Sequence, residues 1–240
     1  MEHREVRKIY TEMLPEAKPV HPLDASYRYL HLFLPEAREA SVLDAGCGNG
    51  QYALRLASRD GYSNIDAVDL FEFINTHDAF RYQQASIDNL PFDDECFDLV
   101  YSMSVIYYLD DARDAFREFF RVMKPGSRLV ISAHTKFSLH TLERRVRRRL
   151  GGVRHLRGIR FSSPNSYVRQ MRECGLEVEN VWGYGLSYPK RNPLARARRK
   201  ILTRRNPAGI KAAMSLPRWV QYLVGNLGNH SLIAAKKPSS

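Results

Sequence analysis

The sequence predicts an α/β fold built on a mainly parallel sheet with helices on both faces. Three observations carry this. Short apolar runs alternate with amphipathic helical runs between residues 41 and 133, the pace of successive right-handed βαβ crossovers. The run Phe97–Met103 is apolar almost throughout, as strands covered on both faces are. The run beginning at Val42 passes straight into Gly-x-Gly-x-Gly, so the chain must turn sharply between a strand and a helix.

The elements follow in order. Up to about Arg38, short helical patterns alternate with Pro15, Pro19, Pro22 and Pro35, and residues 1–40 read as an N-terminal helical cap. Ser41-Val42-Leu43-Asp44 is a short apolar strand stopped by glycines. Gln51–Ser58 places Ala53, Leu54, Leu56 and Ala57 on one helix face. Ile65–Asp69 is a second strand, and Tyr82–Ser86 a third, ending before the turn Asp88-Asn89-Leu90-Pro91-Phe92. Phe97–Met103 is the fourth. Asp110–Met123 is helical, with Ala115, Phe116, Phe119, Phe120 and Met123 on one side, until Lys124-Pro125-Gly126 breaks it before a fifth strand over Arg128–Ala133. Ser162–Cys174 begins like a capped helix and Gly175 ends it. Leu176–Trp182 and His230–Ala235 supply two late strands. Residues 41–240 thus form one domain, interrupted by basic segments at about 134–161 and 184–228 that read as lid insertions.

Charge is distributed unevenly. Residues 134–240 hold 23 Lys and Arg against four acids, whereas residues 1–133 hold 14 against 22. A mildly acidic half is therefore joined to a strongly basic one, which favours an anionic partner or surface beside the second half. The plainer reading is a solvated basic face. The first five residues alternate charge without an apolar core, so a secretory signal is not expected, and no apolar run approaches the roughly 20 residues of a membrane span. Cys47, Cys96 and Cys174 stand far apart with no paired spacing, which argues against a disulfide framework or a bound metal and fits a reducing cytoplasm.

The chemistry concentrates at Val42-Leu43-Asp44-Ala45-Gly46-Cys47-Gly48-Asn49-Gly50. Glycines let the backbone approach a ligand closely, and the helix beyond offers unpaired N–H groups. A dinucleotide fingerprint wants a third glycine where Gln51 stands, and Asp44 also departs from that pattern. A nearby carboxylate suits a ligand bearing an ammonium and a sulfonium better than one bearing a pyrophosphate. Asp69 ends the second strand, where an acid can accept hydrogen bonds from both ribose hydroxyls. Its neighbours Leu70 and Phe71 can pack against an adenine face.

These residues, with Asp88-Asn89-Leu90-Pro91-Phe92…Phe97-Asp98, Val105-Ile106-Tyr107-Tyr108-Leu109 and Arg121-Val122-Met123-Lys124-Pro125-Gly126, make residues 41–133 similar to class I S-adenosylmethionine-dependent methyltransferases of the ubiquinone-biosynthesis type. The resemblance implies a Rossmann-like, seven-stranded, mostly parallel sheet whose last strand is antiparallel. It implies S-adenosyl-L-methionine as cofactor, bound by Asp44, Gly46, Cys47, Gly48, Gly50, Asp69 and Leu70. By matching position, Ser86 and Ile87 flank the adenine and Ser102 and Met103 line the methyl-bearing sulfur. Ser86 stands where the group commonly has an acid, which weakens the adenine contact.

Methyl transfer to a hydroxyl needs a base, and His134 follows the fifth strand at the end where the cofactor belongs. Tyr107 is the second candidate, with His140 and His155 behind it, and Tyr10 is an aromatic of the cap that can close over the cofactor. No Asn/Asp-Pro-Pro-aromatic run follows the fourth strand and no cysteine follows proline, which demotes base-directed methylation. The expected activity is O-methylation of a small-molecule, sugar or lipid-linked acceptor, in the cytoplasm or at the inner face of a membrane. Basic and aromatic segments such as Leu216–Val224 are compatible with that membrane contact. The competing reading is an RNA-directed methyltransferase or a nucleic-acid-binding protein using Arg144–Arg149 and Arg196–Arg205 on phosphates. No nucleic-acid-binding module accompanies those clusters.

Overall fold

The computed structural model describes residues 19–21, 24–71, 78–135, 162–184 and 230–239, with 146, 217 and 220 besides. Tyr10, His140, His155 and nearly all of the two basic segments lie outside the described residues. Five strands follow the expected alternation: β1 (Val42–Ala45), β2 (Ile65–Asp69), β3 (Arg81–Gln84), β4 (Phe97–Met103) and β5 (Met123–His134). Two later ones, β6 (Glu177–Tyr184) and β7 (His230–Lys236), complete a seven-stranded sheet of order β3-β2-β1-β4-β5-β7-β6. β1 to β5 run parallel, and β7 is antiparallel to both β5 and β6. The fold class the sequence predicts is the one observed.

Because side chains alternate across a strand, each strand contributes to two cores. On one face Leu43, Val68, Val100, Leu129, Ile131 and Ile233 meet the helices α3 (Arg113–Val122) and α4 (Pro164–Glu173). On the other, Val42, Ala67, Leu99, Tyr101, Val130 and Leu232 meet α1 (Ala25–Leu30) and α2 (Gln51–Asp60). The N-terminal segment is tied to the second face. Val20 N–H donates to Gln51 C=O at 3.0 Å, and the Tyr52 hydroxyl reaches the Asp24 carboxylate that caps α1.

Boundaries shifted where tertiary partners intervened. The helix expected from Asp110 starts at Arg113, and Gln170 of α4 receives the Ala112 N–H just ahead of it. The break at Lys124-Pro125-Gly126 became part of β5. Met123 pairs with Phe97, and Gly126 N–H donates to Lys237 C=O, so long-range hydrogen bonds replace the isolated turn that the dipeptide favours. The region after β4 forms a single 3₁₀ turn, Ile106–Tyr108.

The segment between β3 and β4 is tied to α3 by Glu118, which accepts the Leu90 N–H, by the backbone bonds of Glu95 and Cys96, and above all by Arg121. Arg121 of α3 donates to the carbonyls of Phe92 at 2.7 Å and Leu90 at 3.1 Å, while both of its carboxylate partners, Glu118 and Asp94, are within 2.9 Å. Exposed ion pairs contribute little, but bonds that pin a loop's carbonyls are lost outright on truncation. Arg121→Ala is expected to cost about 2 kcal/mol in urea unfolding; a loss below about 0.5 kcal/mol would mean that these bonds are fully exchanged for water.

Candidate functional site

The chain builds β1, β2 and β3 outward in one direction and then returns to place β4 on the other side of β1. Such a reversal leaves a crevice outside the carboxyl ends of the two strands that flank it, because their following loops depart in opposite directions. The glycine loop leaves β1 there, and Ser104-Val105 leaves β4.

The loop is shaped by two demands. Gly46 and Gly50 adopt φ of +82° and +74°, which L side chains rarely tolerate. Each also lacks room: a Cβ on Gly46 would lie 2.4 Å from a Val105 methyl, and one on Gly50 would lie 2.6 Å from the Phe80 ring. The Gly46 and Cys47 N–H groups share the Val68 carbonyl at 2.8 and 2.9 Å, closing the turn against β2. These glycines serve the packing of the loop as much as the approach of a ligand.

Asp69 locks the same loop from the next strand. One oxygen accepts the Gly48 N–H at 2.8 Å and the other accepts the Phe71 N–H at 3.1 Å. Burial raises its pKa, and these amides together with that of Leu70 pull it back. Asp44 is more extreme: its side chain is buried, and Oδ2 has no hydrogen-bond partner. Burial pushes its carboxyl up to about 7, the Asp69 charge adds to this, and the Tyr101 hydroxyl and the Ala53 N–H oppose it. Beside this pair the Cys47 thiol is buried and held well above its ordinary pKa by burial and both acids, so it is no nucleophile. Leu70 is 39% exposed, an apolar side chain left open next to Asp69.

On the other side of the crevice, Ser104 is a non-glycine residue at φ +67°. Strain of this kind persists only where surrounding contacts impose it, and here the Ser104 N–H bonds the Ser132 hydroxyl of β5 at 2.8 Å. Two residues beyond Ser132, His134 is buried with its ring 4.5 Å from Tyr107 and 4.2 Å from His230, its partner across β5 and β7. Both candidate bases therefore sit together at one rim. Alternation places Asp69, Asp44, Tyr101, Met103, Ser132, His134 and His230 on one sheet face, toward α1 and α2. Neighbouring strands are about 4.8 Å apart and a strand rises about 3.3 Å per residue, so His134, four residues beyond the Val130 that stands level with Asp44 across β4, lies about 16 Å from Asp44.

The remaining sites are placed differently. Alternation turns the Ser102 side chain to the opposite face from Met103, where its buried hydroxyl has no partner. Ser86 bridges to Asn89 in the turn after β3, and Ile87 is buried in the core on the α3 side. Sequence reasoning missed Tyr101, Ser104, Ser132 and His230. The signal for Tyr101 and Ser132 was the period of two along β4 and β5, which puts them on the face of Asp44. Nothing local marks Ser104 or His230.

With this geometry in view, residues 43–131 match the family described as "Methyltransferase domain". The chain is 32% identical over 155 residues to a malonyl-[acyl-carrier protein] O-methyltransferase of Pectobacterium atrosepticum, covering 62% of this chain and 60% of that protein. It is 29% identical over 162 residues to the 27-O-demethylrifamycin SV methyltransferase of Amycolatopsis mediterranei, covering 62% and 58%. The chain thus spans less than two thirds of the length of these curated relatives. Among solved structures, the phosphoethanolamine N-methyltransferase 2 of Haemonchus contortus in complex with S-adenosyl-L-methionine has a TM-score of 0.61 at 19% identity, covering 92% of this chain and 54% of that one. At that identity the likeness concerns the fold.

Proposed function

From the premise that the chain carries a class I S-adenosylmethionine-dependent methyltransferase domain, we propose that it transfers a methyl group from S-adenosylmethionine to an oxygen of a small-molecule or lipid-linked acceptor. The carrying observation is the buried Asp44 carboxyl, whose Oδ2 has no hydrogen-bond partner, beside Asp69 at the glycine loop. A buried acid and a half-buried one beside it disfavour a pyrophosphate and favour a cationic ligand, since a positive charge offsets the cost of ionising them. The residues therefore fit the family's cofactor. Asp44 would face its ammonium, Asp69 its ribose hydroxyls, Leu70 one adenine face, and Met103 the region of its sulfur.

When bound, S-adenosylmethionine supplies an activated methyl group on a positively charged sulfur. The chain's own share is alignment and proton removal. The Ser104–Ser132 bond fixes the β4 exit against β5, and Val105 fills the space over Gly46, so the crevice floor is set before any ligand arrives. His134, confined between Tyr107 and His230, takes the acceptor's proton. An oxygen acceptor is supported by two relatives named for O-methyl transfer, one acting on a malonyl-[acyl-carrier protein] and one on 27-O-demethylrifamycin SV.

Calorimetry with S-adenosylhomocysteine tests the cofactor half of this reading. Binding in the range of about 1 µM to 1 mM is expected, and no detectable binding would overturn it. Methyl transfer from labelled S-adenosylmethionine to a panel of hydroxylated and carboxylated small molecules tests the acceptor half. His134→Ala is expected to lower turnover by about 10²-fold or more with S-adenosylhomocysteine affinity unchanged, because general bases contribute about 10² to 10⁴. Near-normal turnover would remove His134 as the base.

A further inference from the structure

Behind the glycine loop, two buried polar atoms lack partners close to one another: Oδ2 of Asp44 on β1 and the hydroxyl of Tyr101 on β4. The strands are paired with Asp44 directly opposite Tyr101, so both side chains rise from the same spot on the same face. Both residues are essentially inaccessible to water. A buried hydroxyl and a buried carboxyl oxygen left without partners are costly, and such costs persist where a ligand relieves them.

We propose that Tyr101 is a positioning residue for the cofactor: its hydroxyl, which makes no hydrogen bond in the structure, donates to the Asp44 carboxylate once this group ionises, and the carboxyl exchanges its proton for the ammonium of S-adenosylmethionine. The inference rests on the methyltransferase reading and adds a partner and a proton to it. On binding, the Asp44 O–H bond breaks, its proton passes to solvent, and the carboxylate pairs with an ammonium that keeps all of its protons.

Among the described residues, the groups facing this carboxyl are few. Asp69 approaches from β2 and Cys47 from the loop, Tyr101 stands on β4, and α2 offers the Ala53 N–H, one of the first-turn amides that a helix leaves unpaired. The Tyr52 ring lies 6.3 Å from that of Tyr101, with its own hydroxyl engaged by Asp24. None of these is a cation. Nothing in this set balances an ionised Asp44, which is why burial dominates and holds the carboxyl at about 7. The hydroxyl of Tyr101 opposes that rise, so it sets how readily the proton leaves.

The test is calorimetric titration of S-adenosylhomocysteine, which carries the same ammonium, in pairs of buffers that differ in ionisation enthalpy. With the carboxyl at about 7, the wild-type chain should release about 0.9 proton per ligand at pH 6, about half at pH 7 and about 0.1 at pH 8. Tyr101→Phe should weaken binding about five-fold at pH 7, with the two affinities converging by pH 9, because loss of a hydrogen bond to the ionised form matters only while protonation competes. Asp44→Asn should release no proton, and its affinity should be flat from pH 6 to 8. Uniform weakening of Tyr101→Phe at every pH would overturn the proposal, since a purely structural role behaves that way. Binding without proton release from the wild-type chain would overturn it alone, whereas no binding at any pH would overturn the cofactor reading and this inference together.

Discussion

Asp69→Ala is expected to abolish measurable S-adenosylhomocysteine binding, a loss of about 10³-fold or more in affinity. Two effects add. The substitution removes acceptors for the Gly48 and Phe71 amides, and charge-assisted bonds of this kind contribute about 1.5–3 kcal/mol each. It also removes the acid proposed to hold the ribose, a contact made only with ligand present. Asp69→Asn separates the two, because an amide keeps one acceptor oxygen and the side-chain volume; a loss of about 10- to 100-fold is expected there. Amide hydrogen exchange supplies an independent reading, with Gly48 and Phe71 losing protection in Asp69→Ala and keeping part of it in Asp69→Asn. Retained affinity in Asp69→Ala would sink the proposed cofactor placement.

Gly46→Ala should be the most damaging single methyl group in the loop. Its Cβ would lie 2.4 and 2.8 Å from the two Val105 methyls, and φ there is +82°. Overpacking costs about 1–3 kcal/mol and a left-handed non-glycine residue about 1–2 kcal/mol. Together they predict a loss of about 3 kcal/mol, equivalent to a drop of about 6–12 °C in Tm for a chain of this size. The two parts can be separated. Val105→Ala relieves the clash and leaves the backbone strain, so the double variant should recover roughly half of the lost Tm. A Tm within about 2 °C of the parent in Gly46→Ala would show that β4's exit gives way freely, and that Val105 does not shape the crevice as argued.

Both results turn on the same contrast between local and long-range information. The glycine loop was legible because its requirement is local: a strand that ends in Gly-x-Gly-x-Gly and starts a helix must turn with positive φ, whatever packs above it. Asp69 was legible because it ends an apolar strand at the right interval. The role it plays in the structure, joining the Gly48 amide across 21 residues, was not. His134 was legible as a residue at a strand end; its contact with His230 depends on how the last strand returns to the sheet.

The misjudged boundaries have the same origin. Pro125-Gly126 signals a turn in any isolated chain, yet Lys237, more than a hundred residues later, hydrogen-bonds across Gly126 and Ser127 and draws the segment into β5. Asp110 and Asp111 are both N-cap residue types, and α3 starts at Arg113, where Asp111 accepts its N–H and Gln170 of α4 accepts that of Ala112. Ser104, at φ +67° beside the crevice, is invisible to pattern because serine does not favour that conformation; it is held there by Ser132.

By itself the sequence determined the alternation of strands and helices, the turn at residues 46–50, the two acids flanking it and the asymmetry of charge, because periodicity, glycine freedom and side-chain chemistry act within a few residues. Only the tertiary structure decided that Tyr101 stands opposite Asp44, that Val105 occupies the space a side chain at 46 would need, and that His134, His230 and Tyr107 share one rim. Those neighbours are set by strand order and register, which emerge from the burial of two whole sheet faces rather than from any one segment.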